Sequence, residues 1–284
     1  MIGYLAIITA SVIWSITPAL VSRFSQYIKP FIFTALRAVI ATLTLVPIAF
    51  LNNFSYVPLQ AYVLVLIIVS GLLGPGIGDA CYTKAIQRVG GSLAVVLSYI
   101  YIFIAQFMAV AFLGEFMSIS LIIGSVLAFV GIVVAVSSNN FGRVDIQGII
   151  YSLIAALSWS SAAVMVRLVL NYADTFTVTL YRLAVTAVIL SPIAIFLEGI
   201  PGKMIIKQLV LVATVTGILG FSLGVYLFVY SISTVGVSAT AMATALTPVL
   251  SQITTKLLAG ERPTKENVVG ASLISIGITI SAIL

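Results

Sequence analysis

The stretch Gly71-Leu72-Leu73-Gly74-Pro75-Gly76-Ile77-Gly78-Asp79 has a partner 146 residues further on, where Gly217, Gly220 and Gly224 repeat the spacing of Gly71, Gly74 and Gly78. The same shift lays Gly90 and Ser92 on Gly236 and Ser238, and Gly114-Glu115 on Gly260-Glu261. It also lays Gly124 and Gly131 on Gly270 and Gly277. Upstream of one insertion the shift is 145. There it pairs Trp14-Ser15 with Trp159-Ser160, Thr34 with Thr179, Arg37 with Arg182 and Pro47 with Pro192. Shared hydrophobicity aligns Leu, Ile and Val; it does not align Trp, Arg, Pro and Gly. The chain reads as a duplication, with one unit over residues 1–139 and a second over 140–284.

Composition says what surrounds it. Hydrophobic residues make up 62% and charged residues 7%, and the mean hydropathy is +1.27. A soluble domain needs about a quarter of its residues charged to solvate its surface, so the solvent for most of this surface is lipid. A spanning helix takes roughly 20 apolar residues, and the 284 residues hold ten such spans with short connections. They fall at 4–22, 30–51, 61–86, 92–113, 118–137, 146–169, 176–197, 208–232, 238–258 and 266–283. Polar or Pro-containing breaks such as Asn52 to Pro58 separate them. Several spans contain β-branched runs, but membrane strands require a closed barrel with an alternating pattern. Nothing here alternates, so the spans are helices, which satisfy their own backbone in lipid. The first span lacks a basic leader and recurs mid-chain, so it reads as structure rather than as a signal peptide.

Five spans per unit is an odd number, which sends the second unit into the membrane from the opposite side. The expected fold is therefore all-α and integral to the membrane, ten helices in two inverted repeats. Secondary transporters use this arrangement, with a site between the halves that opens to alternate sides.

Basic residues bear on orientation. The odd connections take Arg23, Lys29, Lys84, Arg88, Arg143, Lys203, Lys207, Lys256, Arg262 and Lys265, and the other side takes Arg167. That tally puts both termini outside. These cations, which make the net charge +6, sit singly in short connections. They read as topology signals, with no nucleic-acid partner. Histidine is absent and Cys81 is the lone cysteine, so no metal, cofactor or disulfide is expected.

The repeat unit resembles the EamA domain of the drug/metabolite transporter superfamily. The likeness rests on Trp14 and Trp159, on Arg37 and Arg182, and on the Gly-rich third span with Ala85-Ile86 before Gly90-Gly91-Ser92. It rests also on Leu246-Thr247-Pro248 leading to Leu258-Ala259-Gly260-Glu261-Arg262. The first half carries Tyr101 where the family prefers Pro, and no basic residue follows Glu115. The resemblance implies a multi-pass carrier of amino acids, other metabolites or drugs, with a central cavity and cytosolic termini.

Glycine-interrupted spans at matching places in two halves point to a transporter's site, which marks Gly74, Pro75, Gly76, Gly78, Gly220, Gly224 and Pro248 as helix breaks or hinges. Close packing through small residues is the other use of such glycines. Asp79 is the one carboxylate deep in a span, about 16 Å from Gly90 at 1.5 Å per residue. An ionised group at that depth faces the bundle interior, pairs or stays protonated. It reads as a proton-coupling group or a contact for a substrate amine, against a buried pair with Arg37 or Arg182. The two arginines can meet a substrate carboxylate bidentately, or bond helix-end carbonyls.

Trp14 and Trp159 sit mid-span, away from the interfacial belt. With Tyr82, Tyr99, Tyr101, Tyr226 and Tyr230 they can line an aromatic cavity, and the matched Gln106 and Gln252 are candidates for the same wall. Glu115 and Glu261 read as cap and turn residues. These features point to a carrier in the cell membrane, working as a monomer among lipids on a small metabolite, amino acid-like or amphipathic. An intramembrane enzyme would need a nucleophile, base or metal cluster that the spans lack. A passive channel would need a continuous polar stripe.

Overall fold

The computed structural model describes residues 1–51, 60–137, 145–262 and 264–283. The junction of the two units, with Asn139 and Arg143, and the break from Asn52 to Pro58 lie outside these. Among the described residues the regular structure is entirely helical. The helices are α1 (Ile2–Arg23), α2 (Pro30–Leu51), α3 (Ala61–Gly71), α4 (Asp79–Val89), α5 (Gly91–Ser98), α6 (Tyr101–Leu113) and α7 (Ile119–Ser137). There follow α8 (Ile146–Val169), α9 (Thr175–Glu198), α10 (Lys203–Val215), α11 (Val225–Ala243), α12 (Leu246–Thr254) and α13 (Lys265–Ile283).

Seven helical stretches are long and apolar enough to cross a membrane: Ile2–Arg23, Pro30–Leu51, Ala61–Val89, Gly91–Leu113, Ile146–Val169, Thr175–Glu198 and Ile205–Ala243. The ten spans read from sequence differ from these seven in three places. The apolar described parts of α7 and α13, Ile119–Gly131 and Val268–Gly277, are shorter. The third difference lies in Ile205–Ala243, which continues past Gly236, a residue with φ 85° and ψ 175° that is not helical. Gly90 adopts nearly the same conformation, φ 83° and ψ 161°, where α5 begins. Both positions need a residue without Cβ, because an L side chain is strained at positive φ.

The outside of the bundle is greasy. Phe116, Phe196 and Leu257 are 89%, 89% and 74% exposed, which in water would be costly and in lipid is the expected finish. The interior is filled by small side chains such as Ala10, Ala38, Ala105, Ala163, Ser11 and Ser160. Lipid tails are as apolar as Leu, so burial of apolar area does not drive these helices together; close van der Waals packing does. The α2 helix lies along α9 and α1 along α11, while α13 packs along α7, to one side of the other helices.

The predicted hinges take a specific form. Residues Leu72–Gly78 and Thr216–Gly224, which correspond under the 146-residue shift, are wide π-helical turns that join α3 to α4 and α10 to α11. Pro75 lacks the N–H that an α-helix would require, and the wider turn accommodates it without breaking the span. Pro248 is not itself a break: it sits in the first turn of α12, where its missing N–H has no helical acceptor. The interruption precedes it at Thr244-Ala245, and the first half breaks likewise at Tyr99-Ile100 with no proline at all.

Each half caps a helix of the other. The Glu115 carboxylate accepts from the N–H of Val237 and of Ser238 at 2.8 and 2.9 Å. Glu261 accepts from the N–H of Gly91 and of Ser92 at 2.8 and 2.9 Å, and from the hydroxyls of Ser92 and Ser22. Part burial pushes the Glu261 carboxyl up, but these four donors outweigh it and hold it below its ordinary value. The two glutamates are cap residues, as read from sequence, and the helices they cap belong to the opposite unit. Glu198 does the same for α2, accepting from the N–H of Phe31 and Ile32, while Lys29 bonds its carbonyl.

Candidate functional site

A cavity of about 100 Å³ lies where seven of the spanning stretches meet. At roughly 15 Å³ per water centre this is room for about seven waters, the scale of a small metabolite. Its wall is organised by the duplication. Trp14 and Trp159, Thr17 and Ala162, Arg37 and Arg182, Pro75 and Phe221, Asp79 and Val225, and Tyr82 and Phe228 are counterparts under the shift, and all of them line it. Gly74, Tyr99 and Tyr101 complete the wall without a counterpart there. The cavity therefore sits between equivalent elements of the two units.

Each indole is seated by a glycine of the other unit. A Cβ on Gly78 would come within 2.7 Å of Cδ1 and Nε1 of Trp159, and a Cβ on Gly224 within 2.6 Å of Nε1 of Trp14. Glycine at these two positions lets the Nε1 edges of the tryptophans approach the π turns this closely. The rings then pack in matching fashion, Trp14 on Phe228 at 5.6 Å and Trp159 on Tyr82 at 5.1 Å between centroids. Tyr99 and Tyr101 add edge contacts to Trp159 at 6.5 and 5.9 Å.

The charged groups depart from this symmetry. Arg37 donates from Nη1 to Oδ1 of Asp79 at 3.0 Å, and Trp159 donates from Nε1 to Oδ2 at 3.3 Å. Arg37 is 2% exposed and is held between rings, 3.8 Å from the Phe221 centroid and 5.3 Å from that of Phe33. Stripping two such ions of water costs several kcal/mol each, and their attraction offsets this only with good geometry and further bonds. Here the pair is joined by one hydrogen bond, Trp159 bonds the second oxygen of Asp79, and Nε of Arg37 has no partner among the described residues. Arg182 has no carboxylate. It donates from Nε to the Ser70 hydroxyl and from Nη2 to the Ser70 carbonyl, each at 3.1 Å, and Nη1 has no partner among the described residues.

Eight of the twelve residues singled out as cavity candidates thus come together: Trp14, Arg37, Asp79, Tyr82, Tyr99, Tyr101, Trp159 and Arg182, whereas Tyr230 is not on the wall. Of the two roles weighed for Asp79, the structure displays the buried pair. Gln106, Gln252 and Tyr226 do not reach the wall. Gln106 turns to α7 and accepts from Ser125 at 2.6 Å, and Gln252 donates to the Ser92 carbonyl at 3.1 Å. Tyr226 stacks on Tyr230 and against Phe176. Two residues before Phe228, it points about 200° away around the helix. Sequence reading missed Thr17, Ala162, Phe221, Val225 and Phe228. The signal was available for all five: three are counterparts of Pro75, Asp79 and Tyr82, and the other two lie one turn after the tryptophans.

A second cavity, of about 460 Å³, opens among Tyr4, Glu115, Arg167, Ser233 and Ser238 and reaches in to Ala243. Tyr101, on the wall of the central cavity, bonds Thr244, the next residue along. That bond joins a residue of the first wall to the neighbour of Ala243 on the second.

Comparison with known proteins agrees with this architecture. The family model described as EamA-like transporter family matches residues 1–137 and again residues 146–283. The uncharacterized transporter YoaV of Bacillus subtilis (strain 168) is 27% identical over 278 residues, covering 96% of this chain and 94% of its own. An uncharacterized transporter of Archaeoglobus fulgidus is 24% identical over 191 residues, 67% of this chain and 68% of its own. A solved structure described only as "Crystal structure of protein" superposes with a TM-score of 0.76 at 20% identity, covering 99% of this chain and 98% of that one. That last likeness is one of fold.

Proposed function

The chain belongs to the EamA-like transporter family, and from that premise we propose that it is a secondary carrier in which two inverted five-helix units, residues 1–139 and 140–284, rock about the central cavity. One observation carries the reading: six counterpart pairs make up twelve of the fifteen residues around one cavity. A site built from equivalent parts of two oppositely threaded units is reachable from either face by one motion and its two-fold-related counterpart.

Contacts at the helix ends support the inversion. The first turn of α1 lies against the end of the α11 stretch, where a Cβ on Gly3 would meet Thr234. Arg88 at the end of α4 pairs with Asp145 at the start of α8 at 2.9 Å. Those pairings follow if each successive span reverses direction through ten. The seven long spans, the shorter apolar α7 and α13, and the division of Ile205–Ala243 at Gly236 together supply ten crossings.

The carrier sits in the cell membrane and takes a small metabolite into the aromatic cavity, exporting or exchanging it. The π turns beside the cavity are the hinges and the Tyr101–Thr244 contact is the gate toward the second cavity. Two measurements test this. In a Cys81→Ala background, cysteines at Ile2 and Gln147 should react from opposite sides of intact cells; labelling from the same side removes the inverted arrangement. Purified protein should then be screened by thermal shift against amino acids, organic acids, nucleosides, sugars and lipophilic cations. A compound that raises the melting temperature by mass action should exchange across proteoliposomes. Binding with no exchange of any hit would overturn the carrier reading.

A further inference from the structure

We propose that the cavity selects small organic monoanions, a single carboxylate on an apolar and preferably aromatic body, and discriminates against zwitterionic amino acids and amines. The inference rests on the carrier reading and specifies its substrate class.

The charge of the wall is the first argument. Among the described residues it holds Arg37, Asp79 and Arg182 and no other Asp, Glu, Lys or Arg. Asp79 is paired with Arg37, so Arg182 leaves the wall one positive charge in excess. The rest of the chain does not supply the missing counter-ion. All seven carboxylates belong to described residues. Glu115, Glu198 and Glu261 hold helix amides of other elements, and Asp145 and Asp174 cap their own helices. Glu266 stands exposed in the first turn of α13. An intramembrane cation ordinarily faces a partner, and here the free place is the cavity.

The donor geometry is the second. The two bonds to Ser70 fix the guanidinium and use Nε and Nη2, which leaves Nη1 buried and unsatisfied on a side chain only 3% exposed. An unmet donor of that kind in low dielectric is the half of a charge-assisted hydrogen bond that a carboxylate oxygen completes. A third argument excludes the zwitterion. Both oxygens of Asp79 are engaged, one by Arg37 and one by Trp159, so an ammonium entering the cavity meets no free carboxylate. The rest of the wall is mostly Trp, Tyr and Phe, with Pro75, Ala162 and Val225 beside them and Thr17 as its one aliphatic hydroxyl, and it accepts an apolar body.

The duplication shows why the excess exists. Arg37 and Asp79 correspond to Arg182 and Val225. Val225 stands on the wall where the counter-ion of Arg182 would stand if both units were alike.

Phenylacetate, phenylacetamide, phenylalanine and phenethylamine share a body and differ in charge, and equilibrium binding of each to purified protein in detergent at neutral pH tests the idea. Phenylacetate should bind tighter than each of the other three by about tenfold or more, the worth of one charged hydrogen bond in a desolvated site. Arg182→Gln should remove that preference. Because that variant also loses its Ser70 bonds, Val225→Asp is the companion: it keeps Arg182 in place and supplies the carboxylate. Val225→Asp should weaken phenylacetate far more than Val225→Asn, which has the same shape and no charge. Phenylalanine or phenethylamine binding as well as phenylacetate overturns the proposal, as does equal loss in the two Val225 variants, or no binding by any of the four. Counterflow in proteoliposomes separates this from the carrier reading. If the amine or zwitterion binds best and exchanges, the anion preference falls and the carrier stands. If phenylacetate binds with the expected variant pattern but does not exchange, the site stands and the carrier falls.

Discussion

Replacing Glu261 by Gln should destabilise the protein more than the matching change at Glu115, although both residues cap a helix of the opposite unit. Glu261 receives four hydrogen bonds: two from the backbone N–H groups of Gly91 and Ser92, and two from the hydroxyls of Ser92 and Ser22. Glu115 receives two, from the N–H of Val237 and Ser238. Glutamine keeps one acceptor oxygen and turns an NH2 toward a backbone N–H, so one amide is left facing a donor. Bonds to a charged acceptor contribute about 1.5–3 kcal/mol net against about 0.5–1.5 for neutral ones. The loss for Glu261→Gln is then about 3 kcal/mol, and for Glu115→Gln about half of that. At about 2–4 °C per kcal/mol for a chain of this size, the first should melt about 6–12 °C and the second about 3–6 °C below the parent.

Thermal unfolding in detergent, followed by the fluorescence of Trp14 and Trp159, reads this directly. The pH dependence adds a signature that packing alone does not produce. The donors hold the folded Glu261 carboxyl below its ordinary value, which is about 4.3. Its contribution is therefore complete above that value and is lost as pH falls through the lower folded one. The gap between parent and Glu261→Gln should narrow as the pH is taken from about 5 toward 3. Equal shifts for the two variants, or a gap that is flat with pH, would refute the cap reasoning.

Asp79→Asn leaves Arg37 buried without a counter-charge and should cost about 3–5 kcal/mol; the double change Asp79→Asn with Arg37→Met should recover part of it. Gly78→Ala sets a Cβ 2.7 Å from the Trp159 indole and 2.8 Å from the Leu73 carbonyl, so it should cost about 1–3 kcal/mol and push the indole into the cavity, read as a lower melting point together with weaker binding of any thermal-shift hit. Asp174→Ala removes the cap that accepts from the N–H of Phe176 and Thr177 and from the Thr177 hydroxyl, and should cost about 0.5–2 kcal/mol in the same melt with no change in binding.

The parts of the fold legible in sequence were those carried by residues with few alternatives. Glycine at 71, 74 and 78 and again at 217, 220 and 224, with matched Trp and Arg, gave away the repeat before any coordinates did. The glycines do have the jobs their matching suggests, since all six hold the backbone in or beside a π turn against a tryptophan or arginine of the other unit. The break in the fourth span was not legible. Tyr99-Ile100 ends α5 with no proline or glycine in it, so the interruption is imposed by tertiary contacts that a local reading does not contain. The misplaced site residues have a plainer cause. Gln106 and Gln252 were attractive because a polar amide inside a span needs a partner, but a partner on α7 or α5 serves as well as a cavity does.

On the wall the tryptophans and arginines are shared by the two units, while Thr17/Ala162, Pro75/Phe221, Asp79/Val225 and Tyr82/Phe228 differ, and of these four pairs only Asp79/Val225 changes the charge. Were the units identical at the cavity, each Trp would bond a turn carbonyl, as Trp14 does to Gly220 at 3.0 Å. Each Arg would bond the residue before its facing turn, as Arg182 does to Ser70. Asp79 draws both of its neighbours out of that pattern: Trp159 bonds its carboxylate and so does Arg37. The second unit, with Val225 at the corresponding place, keeps the carbonyl-bonded arrangement and the unpaired charge. A carrier needs its two halves alike enough to exchange conformations and its binding site unlike enough to hold an asymmetric molecule in one orientation. The Asp79/Val225 difference meets both requirements at once, because it alters the electrostatics of the wall and leaves the π turns, the indole seats and the crossed glutamate caps in place.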